Sequence, residues 1–183
     1  MSTTIYYFSY LLSSNAQLAS ASPTVGGKIV LGKEEIMSLK EHGTSRQAVQ
    51  ENLQYGVSRK SADRISSYNR NFAEFAGYYR NTNFEKQILS ANGPTTFYDS
   101  VTGKPLFVAP MGRTAQEFLT ESSVHGWPSF RDEEVVWENV RVLRNSGETV
   151  SADGTHLGYN LPDKKGNRYC INLVSMVGSP TEA

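Results

Sequence analysis

Arg168-Tyr169-Cys170-Ile171-Asn172 is the stretch on which the reading of this chain turns. With Leu173 and Val174 behind it, its β-favouring side chains predict a strand over residues 169–174. Side chains on a strand alternate between its two faces. Arg168, Cys170 and Asn172 then share one face, and Tyr169, Ile171 and Leu173 share the other. The second face is apolar and belongs to a core. The first presents a thiol between a cation and an amide. A nearby guanidinium favours thiolate, so this spacing predicts an accessible Cys170 with a lowered pKa. An inert packing cysteine, with Arg168 in a surface ion pair, fits the same spacing and is the plainer reading of it.

Upstream of that strand, residues 93–178 read as short strands and turns. Thr96-Phe-Tyr98 and Leu106-Phe-Val108 flank Asp99-Ser-Val-Thr-Gly103, which predicts a hairpin. Val136-Trp-Glu-Asn-Val-Arg-Val142 predicts a further strand, punctuated by Asn145-Ser-Gly147. Residues 28–92 read instead as a helical extension packed on that domain. Thr44 and Gln47 have capping-box spacing, and Gly43, Gly56 and Gly77 read as stops. Ile65, Tyr68, Phe72 and Phe75 fall at helical spacing, which predicts a core-facing stripe. Helices followed by strands give an α+β layout. Residues 1–27 carry no charge and are rich in Ser and Ala, and 179–183 form a short tail.

Composition narrows the function classes. In 183 residues, eighteen basic side chains balance eighteen acidic ones, leaving no net field to hold nucleic acid or an anionic membrane. The most apolar stretch of the N-terminal tail, residues 5–12, is far short of the ~20 residues that span a bilayer. The tail lacks the basic residues of a signal or transit peptide, although Ala19-Ser-Ala21 would suit cleavage. A cytoplasmic monomer is expected, with an organellar or exported protein as the alternative. One cysteine excludes an internal disulfide and a cysteine-rich metal site. His42, His125 and His156 are too dispersed to suggest a metal, and no phosphate-cradling glycine motif is present.

Three segments in order carry a resemblance: Gly126-Trp-Pro-Ser-Phe130, Gly154-Thr-His-Leu-Gly158 and Gly166-Asn-Arg-Tyr-Cys-Ile-Asn172. They resemble the G-W-P-S-F, H-L-G-H and R-Y-C-x-N signatures of the B-type methionine sulfoxide reductases, the SelR family. Tyr98-Asp-Ser-Val-Thr-Gly-Lys-Pro-Leu-Phe107 is similar to that family's hairpin. The resemblance implies a distorted antiparallel β domain of the SelR type over residues 93–178. It also implies reduction of methionine-R-sulfoxide by a cysteine that becomes a sulfenic acid. It makes Cys170 the nucleophile, with Arg168 favouring its thiolate and Asn172 fixing the site. Trp127 and Phe130 would bind the substrate, and His156 would give the sulfoxide oxygen a proton.

The departures from the pattern carry their own expectations. Tyr159 stands where the family has a second histidine, so it is expected to hydrogen-bond the sulfoxide oxygen as a protonated phenol. Gly158 is expected to bend the segment so that His156 and Tyr159 both reach Cys170. The family's zinc-cysteine positions hold Asp99, Thr102, Val150 and Asp153, so no zinc or other cofactor is expected. His125 stands where many members keep a resolving cysteine. Recycling then needs an external thiol such as thioredoxin, glutaredoxin or dithiothreitol. Two other classes stay open: a degenerate relative that binds without turnover, and a helix-turn-helix over residues 48–65.

Overall fold

A computed structural model describes residues 23–181. The reading of the N-terminal tail lies almost wholly outside the described residues. The chain is mixed α+β, with a mostly antiparallel sheet. Its strands are β1 (Leu31–Gly32), β2 (Thr95–Tyr98), β3 (Pro105–Ala109), β4 (Ser129–Phe130), β5 (Val140–Leu143), β6 (Glu148–Ser151), β7 (His156–Asn160) and β8 (Tyr169–Ile171). Six of them form one sheet in the order β1-β5-β6-β7-β8-β4, in which only β1 and β5 run parallel. The other two form the expected hairpin, closed by the Gly103 amide donating to the Asp99 carbonyl at 2.8 Å. Among the described residues no helix is long and apolar enough to cross a membrane.

The largest buried side chains are aromatic. Phe107 stacks on Phe130 with ring centroids 4.3 Å apart, and Phe84, Phe97 and Phe118 pack around them at tilted or edge-on angles. Such pairs add ~0.5–1.5 kcal/mol each beyond the area they bury. Tyr55, Tyr79, Phe84 and Ile88 of the extension belong to the same core, so residues 28–92 pack on the β domain without a core of their own.

That extension is much less helical than its sequence predicts. Its only α-helices are α1 (Arg59–Asp63), which runs on as a π-turn over Arg64–Tyr68, and α2 (Phe84–Ser90). Thr44 caps no helix; its amide donates to the Ser67 carbonyl at 2.8 Å. Gly43 is tied to that junction, because a Cβ there would lie 2.0 Å from Ser67 O and φ is +62°. Residues 48–58 contain no α-helix, so a helix-turn-helix has no first helix. The apolar stripe holds as a core face only at Ile65, which is buried, since Tyr68, Phe72 and Phe75 are all more than half exposed. The physical reason is that residues 69–77 are not helical. An α-helix needs Arg70 O for the amide of Glu74 and Glu74 O for that of Tyr78. Here the Tyr159 hydroxyl and the Trp127 indole take those two carbonyls.

One helix went unread in the strand half. Helix α3 (Ala115–His125) opens on a capping box between Thr114 and Glu117 and ends at Gly126, φ +88°. A cap of this kind stabilises a helix by ~1 kcal/mol. Two expected strands are shorter than read. Val136 O takes the amides of Asn139 and Val140, so residues 136–139 turn before β5 begins. Strand β8 gives way after Ile171 to a 3-10 turn over Leu173–Ser175.

Polar bonds join the turns that hold Asp99, Thr102 and Asp153. Asp99 is fully buried and accepts from Thr155 Oγ1 at 2.9 Å and from the Val101 amide at 2.8 Å. Lys104 Nζ pairs with Asp153 at 2.8 Å.

Candidate functional site

Strand β8 carries Cys170 between its two buried neighbours Tyr169 and Ile171, as the alternation predicts. Beside it, β7 carries His156 and Tyr159. The β6–β7 register shifts by one residue, pairing Thr149 with Gly158 and Val150 with His156. Leu157 is the extra residue, and it sinks into the core. This bulge lets His156 and Tyr159 line one cavity despite their odd spacing. Gly158 therefore acts through close approach: a Cβ there would lie 1.9 Å from the Cys170 carbonyl oxygen.

The cavity has a volume of about 190 Å³ and is lined by Cys170, His156, Tyr159, Asn172 and Trp127, and by Leu161 and residues 70–73 of the extension. Pockets for drug-sized ligands run to ~300–1,000 Å³. This one suits a single side chain. Five of the seven site residues named from the sequence meet here. Arg168 lies behind the thiol, 7% exposed, and does not line the cavity. Phe130 does not reach it at all; it is wholly buried against Phe107, because on β4 its side chain points into the core.

Each wall is fixed by named bonds. The Trp127 indole N–H donates to the Glu74 carbonyl at 3.0 Å. Asn172 Nδ2 donates to the Leu157 carbonyl at 3.1 Å, so its amide braces β7 against β8. The Tyr159 hydroxyl donates to the Arg70 carbonyl at 3.0 Å. That corrects the role expected for it: the one phenolic proton is already in use, so Tyr159 is not a free donor to a ligand. His156 Nδ1 lies 2.7 Å from Glu148 Oε1, so its Nε2 is the nitrogen left for the cavity. No neutral carboxyl is needed in this pair. Glu148 is held below the usual carboxylate range; burial opposes this, but His156 and Arg70 together outweigh it.

The thiol itself differs from expectation. Burial pushes Cys170 above its ordinary value; Arg168 pulls it down by its charge, and the nearby Glu74 carboxylate adds to the rise. Burial wins, so the free protein holds a thiol and not the thiolate the spacing predicts. The Arg168 guanidinium has Nε and Nη1 buried with no hydrogen-bond partner among the described residues, and its Nε lies 3.7 Å from Asp163. Its charge is thus only loosely engaged and stays available to a sulfur anion.

Sequence reasoning missed Glu148, Arg70 and Glu74. Glu148 was detectable in principle: Asp153-Gly154 marks the turn of a hairpin that brings residue 148 beside 156 and 159. Arg70 and Glu74 fall between the apolar residues of the Ile65–Phe75 stripe, and nothing local to them marks a site. Glu74 is 7% exposed, accepts from the amides of Leu173 (2.5 Å) and Val174 (3.2 Å), and is pushed up to about 7 by burial.

A second cluster gathers Glu121, His125 and Asp163, whose ligand atoms converge within 4.8 Å. Arg131 bonds both carboxylates and Arg113 bonds Glu121 at 2.5 Å, so both acids of the cluster are already paired with arginines. No protein-family model matches the chain, and the curated proteins compared with it show no match either.

Proposed function

We propose that this chain reduces methionine-R-sulfoxide to methionine through Cys170, in a β domain of the SelR type. The supporting observation is convergence: Trp127, His156, Tyr159, Cys170 and Asn172, scattered over 46 positions of sequence (172 less 127, counted inclusively), line one cavity sized for one side chain. The Cys170 thiol gives its proton to His156 Nε2 and its sulfur attacks the sulfoxide sulfur. His156 Nε2 passes that proton on to the sulfoxide oxygen, and the methionine S–O bond breaks as the oxygen transfers to the cysteine sulfur. Methionine leaves and Cys170 becomes a sulfenic acid. Substrate binding excludes water, and Arg168 stabilises the Cys170 thiolate that forms as the thiol gives up its proton for the attack. Two equivalents of an external thiol, from thioredoxin or dithiothreitol, return the sulfenic acid to thiol with release of water and a disulfide.

Epimer choice would come from Trp127 against the methyl group on one side and His156 toward the oxygen on the other. The test is turnover of purified R and S methionine sulfoxide, free and in a peptide, with dithiothreitol as reductant. Activity on the R epimer alone, abolished by Cys170→Ser, is expected. Equal rates on both epimers, or activity that survives Cys170→Ser, would overturn the assignment. Binding of the R epimer without turnover would make the chain a degenerate relative.

A further inference from the structure

His156 does not stand alone in the cavity wall. Behind it a continuous chain of charges runs from β7 to the far side of the extension. His156 Nδ1 meets Glu148 Oε1 at 2.7 Å. Arg70 Nε reaches both oxygens of that carboxylate, at 3.2 and 2.9 Å, and Arg70 Nη2 bonds Glu148 as well. Nη2 also donates to Glu34 Oε2 at 2.8 Å. Glu148 and His156 are both about 2% exposed at their side chains, so water screens neither. From its own strand and its neighbours, His156 faces Tyr159, Glu148 and Cys170; Arg70 and Glu34 lie one and two steps further out.

We infer that Arg70 is a positioning residue that sets the proton affinity of His156 by sharing the carboxylate of Glu148. The physics is a competition for one buried charge. A carboxylate that faced only the imidazole would hold it as imidazolium, because a buried anion stabilises the nearest cation it can make. Arg70 is always charged and grips the same carboxylate through a planar fork. With that charge already balanced, the second proton on His156 is held less tightly than it would be against Glu148 alone and can be released to a ligand. The fork also fixes the carboxylate plane, and with it the imidazole that keeps Nε2 toward the cavity. Arg70 belongs to the segment whose carbonyl receives the Tyr159 hydroxyl, so the extension sets both the cavity wall and the charge behind it.

This inference concerns the proton on His156 and is tested without turnover. With only three histidines in the chain, His156 can be followed by NMR of its ring nuclei as pH is varied. Removing a unit charge one residue away, at the effective dielectric of a protein site, should raise the His156 pKa by ~1 unit or more in Arg70→Met. Arg70→Lys keeps the charge and should leave the midpoint within ~0.5 unit of the parent while loosening the ring, seen as exchange-broadened signals. Glu34→Gln, at the exposed end of the chain, should also leave it nearly unchanged. Glu148→Gln should move it the other way. If Arg70→Met fails to fold, the unmoved midpoint of Arg70→Lys and the lowered midpoint of Glu148→Gln carry the test. A His156 midpoint that stays put in Arg70→Met or in Glu148→Gln would overturn the inference, whatever the substrate proves to be. Absence of sulfoxide reductase activity alongside the expected titrations would remove the proposed function and leave Arg70 in its role.

Discussion

Replacing Glu74 with Gln should reverse its effect on stability between pH 5 and pH 8. The Glu74 carboxyl is pushed from an ordinary 4.5 to about 7 by burial, which exceeds the stabilisation its charged form gains from the amides of Leu173 and Val174. An acid whose folded pKa is raised binds its proton more tightly in the native state than in the unfolded chain. Stability is therefore undiminished below about pH 4.5, falls as pH rises towards 7, and stays reduced above it. At ~1.4 kcal/mol per pH unit, that difference corresponds to ~3 kcal/mol of destabilisation at pH 8. Gln removes this cost but sets an NH2 against one of the two backbone donors, a loss of ~1–2 kcal/mol at any pH. The variant should thus be ~1–2 kcal/mol more stable than the parent at pH 8 and less stable at pH 5. Urea unfolding at the two pH values measures both differences. The same change removes a negative charge beside Cys170, so the pH midpoint of its alkylation should fall. A Gln variant destabilised equally at both pH values, with unaltered alkylation, would refute the reasoning.

Arg168→Met should raise the midpoint of Cys170 alkylation by iodoacetamide still further above that of a free thiol, since it removes the charge that pulls the thiol down. An unchanged pH profile would show that the guanidinium does not reach the sulfur. Trp127→Ala should lower kcat/KM for the R sulfoxide by ten- to a hundredfold, or ~1–3 kcal/mol, through lost packing on the methyl group. Trp127→Phe, which keeps an apolar wall, should retain most activity. Tyr159→Phe should cost tenfold or less, because the Tyr159 proton is given to the Arg70 carbonyl and not to the ligand. A loss of a hundredfold or more in that variant would restore the phenol as a proton donor.

The parts legible in the sequence were those specified by neighbours along the chain. Alternation placed Cys170 and Asn172 on one face and Tyr169 and Ile171 in the core. Asp99 to Gly103 encoded a hairpin turn. Helix α3 was legible too, through Thr114 and Glu117, but its capping box lay in a region dominated by strand signals. The illegible parts are contacts between distant residues. Nothing local to Arg70 announces Glu148, 78 positions away, and nothing local to Glu74 announces Leu173, 99 positions away. A buried charge is decided by such partners, which is why the raised thiol of Cys170 could not be foreseen from Arg168 alone.

The misread segment, residues 69–77, shows how close that competition runs. Its apolar spacing is helical, yet a helix of this length is marginal in water, and Gly77 sits at φ +82°. Against it stand two bonds that capture helix acceptors: Tyr159 Oη to Arg70 O and Trp127 Nε1 to Glu74 O, both at 3.0 Å. At ~0.5–1.5 kcal/mol each, they contribute ~1–3 kcal/mol to the extended form, the same order as the helix preference they oppose. Phe72 and Phe75, exposed in the observed form, would gain little by remaining there. The double variant Trp127→Phe with Tyr159→Phe should therefore shift residues 69–74 toward helix while the sheet stays intact. Cα chemical shifts of those residues should move in the helical direction, and the Glu74 amide should gain protection from exchange. Coil shifts unchanged from the parent would show that the Glu74 carboxylate, bonded to Leu173 and Val174, holds the segment by itself. In that event the buried acid, and not the two aromatic donors, is what builds the outer wall of the cavity.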